Sequence, residues 1–194
     1  MKEDQFLHNK KIAISISESP DLTKNGFGLE HMRHFTVELA QQLLKAGAIL
    51  VYGGDLRYNE QFNFVNVLKD LVRTYRPKHI EGHRVINYVC YPLHKVLNAE
   101  LKADIGQFVE LIQVDTEEDT SLDAGLLFKD KMLLSEEEKA FYDKEWAKGL
   151  EDMRTQMANE THARVIIGGK TEDYKGPYPG IREEAYYTDR KSVV

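Results

Sequence analysis

Short apolar runs alternate with amphipathic stripes along almost the whole of this chain. The runs are Lys11 to Ile16, residues 48–52, Arg84 to Cys90, Phe108 to Val114 and Ala163 to Ile167. They are too short for buried helices and rich in Val and Ile, so they read as buried strands. Between them lie stripes at helical spacing. Leu29, Met32, Phe35, Leu39, Leu43 and Leu44 share one broad face, and Gly47 stops that helix. Phe64, Val65, Leu68, Leu71, Val72 and Tyr75 form the second stripe, which ends before Pro77. Leu93, Val96, Leu97 and Leu101 suggest a short helix after Pro92. Ser135 with Glu138 makes a capping box. It opens a long helix in which Tyr142, Trp146, Leu150, Met153 and Met157 recur at helical spacing. Alternation of this kind predicts an α/β fold, a doubly wound, mainly parallel, Rossmann-like sheet with helices on both faces. Residues 17–28 read as a loop, 115–134 as an irregular insertion and 170–179 as a polar loop. A last helix falls near 181–189, and Lys191 to Val194 reads as the start of a further strand.

The 194 residues fit one domain, residues 1–194, with that insertion. A net charge of −6, with its one basic cluster, Arg73 to Lys78, short, argues against a nucleic-acid-binding face. The single cysteine, Cys90, excludes an intrachain disulfide and fits a reducing, cytoplasmic setting. Met1 to Gln5 carry no signal-peptide core, and no apolar run approaches the ~18 residues of a membrane span. The seven histidines show no metal-ligand spacing, so no metal is expected. Glu117-Glu118-Asp119 and Glu136-Glu137-Glu138 read as solvated faces. Cys90, in a strand interior, reads as a small core residue rather than a nucleophile.

Two strand runs end in a glycine pair. Tyr52 runs into Gly53-Gly54-Asp55, with Arg57 beyond, and Ile167 into Gly168-Gly169-Lys170. The first strand ends in Ser17-Glu18-Ser19-Pro20. Open α/β sheets bind ligands outside the carboxyl ends of their strands. Glycine there lets backbone approach a ligand, and bare glycines with hydroxyls suit a phosphate or ribose. Pro179-Gly180 would open a helix whose free N–H groups suit an anion, with Glu184 one turn in. The candidate ligand-binding residues are therefore Ser17, Ser19, Gly53, Gly54, Asp55, Arg57, Gly168, Gly169, Lys170, Gly180 and Glu184. Each has a structural alternative. Gly53 to Asp55 would serve as a strand-to-helix turn with a capping acid, and Gly180 to Glu184 as a plain helix start. Gly26-Phe27-Gly28 is half of a dinucleotide fingerprint and lacks its third glycine.

Taken in order, Ile12 to Pro20, Val51 to Arg57 and Ala163 to Glu184 resemble the SLOG superfamily. Its members include the Lonely-guy phosphoribohydrolases, Smf-type DNA-processing proteins and sensor domains of bacterial conflict systems. The chain looks most like the last of these, in its Ser-x-Ser strand end, its Tyr-Gly-Gly-Asp-Leu-Arg turn and its Gly-Gly…Pro-Gly-Ile…Glu-Glu-Ala segment. Gly168-Gly169 resembles the first half of the Lonely-guy Pro-Gly-Gly-x-Gly-Thr-x-x-Glu motif, and Gly180 to Glu184 the second. Here Ile181 replaces threonine, and Lys170 to Pro179 separates the halves.

The resemblance implies a sensor domain for a nucleotide derivative, NAD-derived or another ribose phosphate, regulating an effector in antiphage defence. The alternative it implies is an N-glycosidase or phosphoribohydrolase, with Glu184 and Asp55 the candidate catalytic acids. No cofactor is expected beyond the nucleotide ligand. The partners expected are a homo-oligomer and an effector domain or protein, without nucleic acid or membrane. Family members continue past the last helix, so the chain reads as a domain cut short at its C-terminus or as a short gene.

Overall fold

The computed structural model describes residues 6–17, 19–54, 56, 64–75, 82–116, 126, 133–170, 172, 174 and 178–192. Five strands form one sheet: β1 (Lys11–Ser17), β2 (Ile49–Gly53), β3 (Val85–Cys90), β4 (Val109–Val114) and β5 (Ala163–Gly168). Every pairing is parallel, and the strand order is β4-β3-β2-β1-β5. The helices described with them are α1 (Pro20–Lys24), α2 (Leu29–Lys45), α3 (Phe64–Tyr75), α4 (Ala99–Gly106), α5 (Glu136–Glu160) and α6 (Gly180–Ser192). A 3₁₀ turn, Leu93–Val96, precedes α4. The expected Rossmann-like α/β class is the observed one.

Successive strand residues point to opposite faces of a sheet. Tyr52 stacks towards Phe64 of α3, whereas a Cβ on Gly53 would meet Met157 and Met153 of α5. Helices α3 and α5 therefore cover opposite faces. Helix α2 lies against β2 and α3, and α5 runs across β2, β3 and β4. Helix α6 packs on β1, β5 and α5. The core is centred on β3, all six of whose residues are buried, with Ala13, Ile14, Leu50, Val51 and Leu68 around it. Fully burying a Val, Leu or Ile side chain contributes about 1.5–3 kcal/mol.

Local signals explain most boundaries. Ser135 Oγ accepts from Glu138 N at 3.2 Å while Glu138 Oε2 accepts from Ser135 N at 2.8 Å, the reciprocal cap that starts α5. Asn98 Oδ1 accepts from Leu101 N at 2.7 Å and starts α4. Two expectations need correction. The 17–28 loop contains α1, a short helix opened by Pro20 and capped by the Ser19 hydroxyl. The strand expected from Lys191 begins instead as the end of α6, which runs through Ser192. No glycine or proline interrupts the chain between Gly180 and that point, so nothing stops the helix. Residues 193 and 194, and most of 115–134, lie outside the described residues.

Candidate functional site

The chain leaves β1 towards β2, β3 and β4 on one side and returns through α5 to β5 on the other. The strand order thus reverses between β1 and β5. Crevices at such a switch point, outside the carboxyl ends of the strands, are the usual ligand sites of open α/β sheets. A cleft of 340 Å³ opens there. Ile16 and Ser17 of β1, Leu150 and Arg154 of α5, Lys170 and Tyr174 after β5, and Gly180, Ile181 and Glu184 of α6 wall it.

The floor is backbone. Ser17 pairs with Gly168 at the top of the β1–β5 ladder, and Gly169 N donates to Ser17 O at 3.1 Å. Gly168 has φ +70, and a Cβ there would sit 2.2 Å from Ser17 O, so only glycine fits. Gly169, at φ +127, turns the chain over Ile181.

One wall is a buried charge network. Arg164, in β5, donates from Nη1 to Ser15 Oγ at 2.6 Å and to Glu184 Oε2 at 2.5 Å. Its Nε donates to Thr188 Oγ1 at 2.9 Å. Ser15 Oγ also donates to Glu184 Oε2. Burial lowers the Arg164 pKa, the Glu184 carboxylate opposes that, and the Arg154 cation adds to it. Arg154 Nη1 donates to Glu183 Oε2, and Arg154 Nε stands 3.6 Å from Glu184 Oε1. A Cβ on Gly180 would lie 2.4 Å from Arg154 Nη2, so the glycine lets this guanidinium lie against the start of α6. Tyr187 donates to Glu151 at 3.2 Å and to Glu183 at 3.4 Å. Burial and then these two carboxylates push its phenol up to about 12.

Of the candidates read from the sequence, Ser17, Lys170, Gly180 and Glu184 line the cleft, and Gly168 and Gly169 shape it. Glu184 lies one turn into α6, where its spacing from Gly180 put it. Ser19 is elsewhere engaged: it is buried, and its Oγ accepts from Asp21 N at 3.2 Å and Leu22 N at 3.4 Å. Gly53 and Gly54 are not among the cleft's walls. Strand β1 stands between theirs and β5, so they lie about two strand spacings, roughly 10 Å, from Gly169. Gly53 makes room for Met157, whose sulfur would be 2.6 Å from its Cβ. The Gly54 carbonyl accepts from the buried Asn87 Nδ2 at 3.3 Å. Asp55 and Arg57 lie outside the described residues.

Sequence reasoning missed Arg154, Arg164 and Ser15. Tyr52, half-buried and turned towards Phe64 of α3, has its phenol raised by burial first and then by the Glu184 carboxylate. The signal available for Arg164 was a charge inside an otherwise apolar strand run. For Arg154 it was a charge four residues after Leu150, beside the apolar stripe.

Fold and cleft together define an α/β protein with a switch-point cleft walled by Ser17, Arg154, Lys170, Glu184 and the start of α6. A family model described as SLOG cluster2 matches residues 6–192, and the chain belongs to the SLOG superfamily. No curated protein and no solved structure matches it.

Proposed function

We propose that the chain is a sensor domain that binds a nucleotide derivative, NAD-derived or a related ribose phosphate, in the β1–β5 cleft. The observation that carries this reading is the cleft's position at the switch point, with Ser17, Lys170 and the start of α6 lining it. A phosphate there would meet the first-turn N–H groups of α6, the Lys170 ammonium and the Arg154 guanidinium. Glu184 Oε2 is committed to Ser15 and Arg164. Its Oε1 is left to accept from a ribose hydroxyl.

Binding is favoured over hydrolysis by that commitment. A general base must reach a water with a free oxygen, and Glu184 Oε2 is already engaged by Ser15 and Arg164. Membership of the superfamily supports a nucleotide-related role. Regulation of an effector in antiphage defence, a cytoplasmic setting and a homo-oligomeric state belong to the same proposal. Among the described residues no helix is long and apolar enough to cross a membrane.

Calorimetry and product analysis with AMP, ADP-ribose and NAD⁺ test the reading. The parent is expected to bind at least one of them without releasing free base. Lys170→Ala is expected to weaken that binding about tenfold, or 1.4 kcal/mol. Release of free base by the parent, lost in Glu184→Gln, would establish the glycosidase instead. A parent that binds none of the three sinks the sensor reading.

A further inference from the structure

A second hollow adjoins the cleft across the first turn of α6. It measures 620 Å³, and Tyr174 borders both spaces. The turn itself is the partition: Gly180, Ile181 and Glu184 face the cleft, whereas Pro179, Arg182 and Glu183 face the second hollow. Each volume falls within the range of small-molecule sites, about 300–1,000 Å³.

The lining of this second hollow is unusual for open surface. Tyr174 is 41% exposed, Tyr178 63% and Tyr186 58%, so three tyrosine rings stand in solvent around one space. On α6, Arg182, Tyr186 and Arg190 follow at four-residue intervals and therefore share a face. The Arg190 guanidinium lies 5.6 Å from the centre of the Tyr186 ring. The Tyr186 and Tyr187 rings are 6.0 Å apart and tilted by 53°. Aromatic faces with a flanking cation stack planar heterocycles of any sequence or type. A phosphate alone would leave such rings wet.

We propose that this tyrosine-walled hollow is a ring-binding subsite, and that the ligand of the cleft is a two-ringed dinucleotide straddling the first turn of α6. The dinucleotide half of this statement rests on the proposed reading of the cleft. The phosphates would pass over the helix start beside Arg182, with one heterocycle set against Tyr178 and Tyr186.

The test compares NAD⁺, diadenosine diphosphate and AMP by calorimetry on the full chain, with free adenine followed by saturation-transfer NMR. The variants are Tyr186→Ala and Tyr186→Phe, each checked for an unchanged melting temperature. At least one two-ringed ligand is expected to bind tenfold or more tightly than AMP. Tyr186→Ala should remove that advantage and leave AMP binding within twofold, while Tyr186→Phe keeps it. The proposal is overturned if two-ringed ligands bind no better than AMP. It is equally overturned if Tyr186→Ala weakens AMP and the dinucleotides alike, or changes neither. A sedimentation shift in Tyr186→Ala would make the rings a contact between chains and overturn it too. If no nucleotide binds the parent but an adenine signal is present and vanishes in Tyr186→Ala, the ring subsite stands and the reading of the cleft falls. Absence of both signals removes both.

Discussion

Arg164 carries the clearest single-residue argument in the molecule. Its side chain is 1% exposed, and the Glu184 side chain it meets is 13% exposed. Desolvating two charges is costly, and attraction plus hydrogen bonds must offset it. Here Ser15, Thr188 and Glu184 all accept from the guanidinium. Replacing Arg164 leaves the Glu184 carboxylate with Ser15 and the longer, 3.6 Å contact to Arg154. Arg164→Met is therefore expected to destabilise the fold by about 3–5 kcal/mol in chemical denaturation. Arg164→Met combined with Glu184→Leu should recover much of that loss, since no charge is then left buried alone. A single variant as stable as the parent would refute the structural role. Glu184 was legible in the sequence because it follows a proline-glycine helix start by a fixed interval. Arg164 was not, because its acceptors come from a strand 149 residues away and a helix 20 residues away.

Elements approach one another here through missing side chains. Helix α5 crosses the carboxyl end of β3 at Gly149, where a Cβ would lie 1.8 Å from the Tyr91 carbonyl oxygen. It crosses β2 at Gly53, where a Cβ would lie 2.6 Å from the Met157 sulfur. The two obstacles differ in kind, since a methionine end can swing aside and a backbone carbonyl cannot. Overpacking costs about 1–3 kcal/mol, and alanine in place of a helix-interior glycine returns about 1 kcal/mol. The net expectation is that Gly149→Ala lowers stability by about 2 kcal/mol and Gly53→Ala by about 1 kcal/mol or less. Thermal melts of both variants give the ranking, and an inverted order would contradict the geometry. These positions also show what a local motif conveys. The pair Gly168-Gly169 reads correctly as a strand end with close backbone approach, because its constraint is the adjacent turn. The pair Gly53-Gly54 looks the same in sequence. The first of its glycines answers to methionines about a hundred residues downstream, which no local pattern reveals.

Seen whole, the molecule has two unlike rims. The apolar alternation made the sheet and its helices legible, because period and length are local properties. Strand order is not local, and it decides that β1 rather than β2 faces β5 across the cleft. The cleft opens at the carboxyl rim, while Glu160 ties the amino rim. Glu160, at the end of α5, accepts from Tyr88 of β3 at 2.6 Å, Lys11 of β1 at 3.3 Å and Gln156 at 2.8 Å. Burial raises its pKa, but these three donors and the Lys11 charge outweigh burial and bring it below the ordinary 4.5. The unfolded chain then takes up that proton first as pH falls. The stabilisation is fully present above pH 4.5 and is lost as pH drops through the lower folded value. Glu160→Gln cannot lose it. Melting temperatures of parent and Glu160→Gln should therefore differ most near neutrality and converge below pH 4.5. The gap should also narrow in high salt, because the Lys11 and Glu160 side chains are 30% and 34% exposed. A gap that stays constant down to pH 3, on the order of a unit below the free carboxyl, would show that Glu160 holds the rim by shape rather than by charge.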